Sequence, residues 1–403
     1  MGSIVHVALG ILTSIGGFLE IGSIVTAMQA GSEFGFRHLW VVAVGATFAV
    51  VLTEMAGRFS AVSRRSLGGA LRERFGAAVF AAVLLGLGMT SLLVLGAEVT
   101  GLAVATELAT GIPFRLWALP AGLIVWLILW KGKFGVIEYG VAGLGLVTLS
   151  FLAAAIHLEP PTGELLAGLV PSGPEQSPAR YWFIAVSILA ATLTPYLFYF
   201  YSSGAIEDEW TSREIVPNRI VASVGMLFGG VLSASVLVVA AMVMRGMRVD
   251  NYTATPMVLS RVFGRAGFWL FVGSLWIGCL GAALEITLTL AYVLAQGFNW
   301  HWGENERPRD ATRFVVAYSL FILVGTGFAL AGVDALQLTN LAMALTSAVL
   351  PLALAPLLLL MNDRRYLGTH CNGWLTNGIM ALIVVVAVLL AGVSIPLAVA
   401  GKQ

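Results

Sequence analysis

Apolar runs of membrane-crossing length alternate with short polar connections along almost the whole chain. Eleven runs are read at 3–29, 36–58, 76–107, 113–130, 135–157, 182–204, 219–244, 266–297, 312–331, 334–361 and 375–400. About 20 apolar residues suffice to cross a bilayer as a helix. Between them lie RFSAVSRRSLGGALRER, TGIPFR, WKGKFG, LEPPTGELLAGLVPSGPEQSPAR, EDEWTSREIVPNR, MRGMRVDNYTATP, NWHWGENERPRDATR, AGVD and NDRRYLGTH. No soluble domain is visible, and Glu207–Glu209 reads as a solvated loop after the sixth run. The pattern predicts an all-α integral membrane protein with 11 transmembrane helices in a single domain, 1–403.

Two runs are interrupted. In AATLTPYLFYFYSS, Ala190–Ser203, Pro195 removes a backbone donor and clashes with the preceding turn. Carbonyls freed in hydrocarbon are tolerable only when buried in protein or lining a wet cavity. Thr192, Thr194, Tyr196, Tyr199, Tyr201, Ser202 and Ser203 crowd the same place. A proline-kinked packing helix would carry the same residues. In the first run, Gly16, Gly17 and Gly22 flank Glu20 at mid-depth. Each glycine lowers helix propensity by about 1 kcal/mol, so an unwound point is expected there. Corresponding interruptions in the first and sixth crossings are the mark of an inverted-repeat transporter. The expected layout is a 5+5 repeat, with repeat one at 3–157, repeat two at 182–361 and an extra helix at 375–400.

Composition agrees. Of the residues, 59% are hydrophobic and 11% charged, where soluble domains carry about 25% charged residues. The 46 glycines let membrane helices approach closely. A net charge of +1 offers nothing to nucleic acid. Cys279 and Cys371 lie far apart, without metal-ligand spacing, and imply neither zinc nor a disulfide. Residues 3–29 have no basic n-region or cleavage site and read as a retained crossing. With the N-terminus inside, 14 of 22 Lys and Arg fall in cytoplasmic loops, although 245–265 places four arginines outside. The expectation is a multi-pass plasma-membrane protein with a cytoplasmic N-terminus and an external C-terminus.

Acids within crossings mark function, because a charge at a helix centre costs about 2.5–3.5 kcal/mol on insertion scales. Glu54, Glu107 and Glu138 lie near segment ends, where snorkelling to water suffices. Glu20 and Glu98 lie deep and are functional candidates, and Glu285 is deep without a motif. His157, at a crossing end, reads as structural. No nucleotide motif or nucleophile arrangement points to an enzyme.

The stretch QAGSEFGFRHLWVVAVGATFAVVLTEMAGRFSAVSRRSLGGALRERFG resembles the second crossing of the Nramp divalent metal transporters and the basic loop behind it. EVTGLAVATELATGIP resembles that family's third crossing, and MNDRRYLGTHCNGWLTN its tenth-to-eleventh junction. The resemblance implies the inverted-repeat fold of amino acid–polyamine–organocation transporters, with a metal site between the first and sixth helices. The family's Asp-Pro-Gly-Asn aligns with Glu20-Ile21-Gly22-Ser23, so Glu20 replaces the metal-binding Asp and Ser23 the Asn. Its Met-Pro-His aligns with Thr194-Pro195-Tyr196, so Thr194 replaces the thioether ligand. The backbone carbonyl ligands correspond to Gly17 and Ala191. A second histidine becomes Tyr201, and a site-facing Gln becomes Met343. Of the two acids on the proton route Glu98 remains, and Leu95 replaces the other.

These replacements lean toward oxygen. Carboxylate, hydroxyl and carbonyl donors suit Mg, Ca and Mn, whereas thioether favours soft ions. The resemblance therefore implies a divalent cation carried as substrate, with no cofactor and with protons as candidate co-ion. Loss of Asp, Asn and Met together also fits abandonment of the metal. Phe18, Tyr196, Phe198, Tyr199, Phe200 and Tyr201 would then wall a small organic cation opposite Glu20. A sensor that keeps the fold without transporting is the third reading.

Overall fold

The computed structural model describes residues 20–131, 145–174, 177–303 and 306–400, and the regular elements in them are helical. The α-helices are α1 (Ile21–Phe34), α2 (Leu39–Ser63), α3 (Leu67–Thr110), α4 (Phe114–Lys131), α5 (Leu149–His157), α6 (Thr162–Gly168) and α7 (Pro178–Thr192). They continue as α8 (Pro195–Glu207), α9 (Ile215–Val243), α10 (Met257–Gly297), α11 (Thr312–Leu330), α12 (Ala335–Leu360), α13 (Arg364–Leu367) and α14 (Trp374–Ala400). Among the described residues, 9 helical stretches are long and apolar enough to cross a membrane, α1 and α2 being joined in one of them. The runs expected at 3–29 and 135–157 lie partly outside the described residues. Their described ends are α1 and α5. Gly16, Gly17, Phe18 and Glu138 also lie outside them.

The stretch expected as the loop RFSAVSRRSLGGALRER is instead largely helical. α2 continues to Ser63 and stops at Arg64, whose φ of 57° is left-handed. Ser66 then caps α3, its hydroxyl accepting from the Gly69 N–H at 3.2 Å. The first turns of α3 bury Leu67, Ala70 and Leu71 and expose Glu73 and Arg74, an amphipathic pattern that suits a membrane surface. At Gly76 φ reaches 82°, which a glycine adopts without strain, and the chain turns into the crossing itself. α10 likewise starts early, at Met257, and turns at Gly264.

Burial separates an inner group of helices from an outer one. The apolar windows of 178–207 and 257–297 are 89% buried, whereas those of α4 and α14 are 22% buried. Leu116, Leu119 and Leu123 on α4 and Leu382, Val385 and Leu389 on α14 are exposed, as lipid-facing residues should be. Inside, α1 packs on α7 and α9, α8 on α2 and α10, and α3 on α10 and α12. Small residues set these approaches. A Cβ on Gly31 would strike the Leu237 carbonyl of α9, and one on Gly101 would lie 2.6 Å from both Cys279 Sγ and Ile21 Cδ1.

Polar contacts gather the connections at two opposite ends. At one end Arg58 pairs with Glu54 at 3.0 Å and donates to the His370 carbonyl and Asn372 Oδ1 at 2.6 and 2.7 Å. Arg219 also reaches Glu54, and Arg64 donates to the carbonyls of Glu209 and Trp210. Asp363 accepts from the Arg365 N–H at 3.0 Å and pairs with Arg74 at 2.7 Å. That N–H and the Arg74 guanidinium hold its carboxyl below the ordinary aspartate range. At the other end Glu33 pairs with Arg180 at 2.7 Å, and Gly246 donates to the Ser32 carbonyl. Glu54 is thus ion-paired and not simply snorkelled into water. Glu107 accepts from the Phe114 N–H at 3.0 Å, bracing the turn into α4, and the His157 ring lies 6.0 Å from that of Phe263.

Candidate functional site

α1 begins immediately after Glu20, whose backbone is extended (φ −79°, ψ 170°). The other break falls at Leu193–Thr194, between α7 and α8, with Thr194 extended (φ −55°, ψ 126°) and Pro195 opening α8. Proline suits the first position of a helix, where the N–H would be unsatisfied anyway. It also deprives α7 of a donor. The residue four positions after Ala191 is Pro195, so the Ala191 carbonyl has no helical N–H to accept from. Two helix N-termini, at Ile21 and Pro195, therefore open in the middle of the molecule.

The break residues meet across 176 positions of sequence. The Tyr196 hydroxyl donates to Glu20 Oε2 at 2.7 Å, while Glu20 Oε1 is buried with no partner among the described residues. Glu20 is 1% exposed, Tyr196 2% and Thr194 3%, so the site is closed to bulk water. Ser23 is buried one turn into α1, and the Thr194 hydroxyl makes no cap to α8. From α12, Met343 and Thr339 close the same pocket. A Cβ on Gly22 would lie 3.1 Å from Glu20 Oε1, 3.1 Å from Met343 Cε and 3.6 Å from Thr339 Cγ2. Thr339 is buried and lies against the Tyr252 hydroxyl, and sequence reasoning missed it because nothing local marks that face of α12.

Glu98 accepts from the Ile21 N–H, at 3.3 and 3.5 Å to its two oxygens, and so serves the open N-terminus of α1. Negative charge is favoured there by the helix dipole. Two hydroxyls that follow it on its own helix are committed elsewhere: Thr100 donates to the Gly96 carbonyl and Thr106 to that of Leu102. Glu20 and Glu98 lie close enough to repel each other when both are charged.

The structure brings together Glu20, Tyr196 and Met343 by direct proximity, with Glu98 one peptide away. Thr194, Ala191 and Ser23 lie at or beside the two breaks, and Gly17 lies outside the described residues. Of the expected aromatic wall, Phe200 packs against Tyr292 at 6.4 Å and Tyr201 against Trp210 at 5.7 Å, Tyr196 bonds Glu20, and Phe18 lies outside the described residues. Some of the hydroxyls are structural: Ser202 bonds Ser60 and the Leu67 N–H, and Ser203 accepts from Gln296. Among the described residues, no three His, Cys, Asp or Glu side chains cluster closely enough to hold a metal by themselves. An ion at this site would rely on hydroxyls, carbonyls and water.

Comparisons with known proteins bear on the family and the fold. A divalent metal cation transporter MntH of Deinococcus radiodurans is 26% identical over 366 residues, covering 87% of this chain and 80% of that protein. The Eremococcus coleocola manganese transporter, solved in complex with an aromatic bis-isothiourea compound, superimposes with a TM-score of 0.78 at 20% identity, covering 96% of this chain and 85% of that one. MhsT, solved with L-phenylalanine, gives a TM-score of 0.64 at 14% identity over 97% of this chain and 98% of that one, so the fold is shared beyond metal carriers. The family profile described as natural resistance-associated macrophage protein-like matches residues 10–396. With its all-helical membrane fold, the chain belongs to the Nramp family of membrane transporters for divalent metal ions and is not an enzyme.

Proposed function

We propose that this transporter imports a hard divalent cation, Mn²⁺ or Mg²⁺, by alternating access around Glu20. The observation that carries the reading is the buried, unpartnered Oε1 of Glu20 between two open helix N-termini. Burying a carboxylate without a partner is costly, and an arriving cation removes that cost. Thr194, the Ala191 carbonyl and Ser23 offer further oxygens, which suit ions that keep part of their water shell. The relatives described as manganese or divalent metal transporters support the substrate class. The proposed layout has 11 crossings in an inverted 5+5 arrangement with the N-terminus inside, repeat one at 3–157 and repeat two at 182–361.

Coupling to protons is proposed to be weak or absent. Tyr196 and Tyr201 stand where the family has histidines, and tyrosine, with a reference pKa of about 10, carries protons poorly at neutral pH. Leu95 is buried against Gly325 and cannot carry one at all. The membrane potential alone supplies about 2.3 kcal/mol per charge per 100 mV.

The test is uptake into liposomes holding the purified protein and a luminal pH dye, with Mn²⁺, Mg²⁺ and organic amines offered in turn. Saturable uptake of Mn²⁺ or Mg²⁺ under a negative-inside potential, without luminal acidification, is expected. Transport of amines alone would replace the substrate class. Metal-dependent acidification that Glu98→Gln abolishes would overturn the weak coupling.

A further inference from the structure

Glu285 has no task in the account so far. It lies within the crossing part of α10, yet its Oε2 is buried and has no hydrogen-bond partner among the described residues. Its place on the helix is fixed by Thr289, one turn further on. Thr289 Oγ1 donates to the Glu285 carbonyl at 2.7 Å and reaches the Tyr196 carbonyl at 3.4 Å. The face of α10 that carries positions 285 and 289 therefore lies against the start of α8, beside the break. Helical side chains lean toward the helix N-terminus, which carries the Glu285 carboxyl from Thr289 toward the level of Cys279. That cysteine lies beside Glu98. Glu285 lies within electrostatic reach of both Glu20 and the Tyr196 hydroxyl.

Among the described residues, no buried basic side chain answers this charge. The buried basic side chains among the described residues are Arg58 and His38. Arg58 is committed to Glu54, His370 and Asn372, and His38 to the Tyr181 carbonyl at 3.1 Å. Glu20 Oε1 is orphaned in the same region. Two buried carboxylate oxygens, one just before α1 and one on α10, thus lack donors beside the start of α8, and an entering cation would satisfy them together.

We propose that Glu285 is the second negative charge of the ion site. Glu20 holds the cation directly, and Glu285 accepts hydrogen bonds from its remaining waters, so two carboxylates balance the two charges of the ion. Direct ligation by both is not required, consistent with the lack of a close three-residue metal cluster among the described residues. A divalent ion is thereby favoured over a monovalent one of similar size. The inference rests on the proposed transport of a hard divalent cation.

The experiment is Mn²⁺ and Mg²⁺ binding by calorimetry to the full-length protein in nanodiscs, for the wild type, Glu285→Gln and Glu285→Asp. Glu285→Gln is expected to raise both Kd values tenfold or more, with their ratio unchanged because the lost group meets water and not metal. Glu285→Asp, which keeps the charge, is expected to stay within about threefold of wild type. If the Gln variant does not fold, Glu285→Asp still decides: a Kd raised tenfold or more in the folded Asp variant overturns the role through water. Wild-type binding with a Kd unaltered in Glu285→Gln overturns this inference alone. A wild type that binds neither ion overturns the transport reading and this one with it.

Discussion

Glu20 is half satisfied: Oε2 takes the Tyr196 hydroxyl and Oε1 takes nothing. The neighbours decide what completes it. Thr194 presents a hydroxyl where the family places a thioether, and Met343 turns its methyl toward Gly22. Thr194→Met is therefore expected to raise the affinity for Cd²⁺ relative to Mg²⁺ by about tenfold, since sulfur selects softer ions. Competition of Cd²⁺ against Mg²⁺ for uptake measures it, and unchanged selectivity would mean that residue 194 does not face the ion. Glu20 was legible in the sequence as a carboxylate among glycines at mid-depth. Its bond to Tyr196, and the service of Glu98 to the Ile21 N–H, span 176 and 77 positions. Contacts of that range leave no local pattern in the sequence.

The elements were legible where hydropathy or proline marks them. The break at Pro195 was read directly, because a missing N–H at that depth has few outcomes. The helical start of α3 was not, since Arg72, Glu73 and Arg74 made a surface helix look like a loop. Its apolar face, Leu67, Ala70 and Leu71, has helical spacing but is too short to register as a crossing. The break itself makes a prediction. Pro195→Ala supplies the N–H that the Ala191 carbonyl lacks, and alanine is at least as good a helix former at the start of α8. The variant is expected to fold at least as stably by thermal melting, while its KM for Mn²⁺ rises severalfold as that carbonyl is withdrawn from the ion. An unchanged KM would show that the Ala191 carbonyl is not a ligand.

At the scale of the whole molecule, the 9 described membrane-length stretches were marked by apolar run length, whereas sidedness rested on arginine counts that one loop resisted. The contacts add a physical constraint: Arg58, Arg64, Arg74 and Arg219 all bond at one end, together with residues 363–372. If that end is cytoplasmic, the half-exposed Cys371 there should react with a membrane-impermeant thiol reagent in inside-out vesicles and not in intact cells, while buried Cys279 stays silent. Labelling from outside the cell would reverse the orientation. Transport itself depends on the buried carboxylate of Glu20 at the centre. The decisive measurement is potential-driven Mn²⁺ uptake by wild type and Glu20→Gln in the same liposomes, with folding checked by melting temperature. Saturable uptake by the wild type, reduced to the protein-free background in a folded Glu20→Gln, is the predicted result. Near-normal uptake by that variant would contradict the account, because the ion would then cross without the carboxylate around which the site is built.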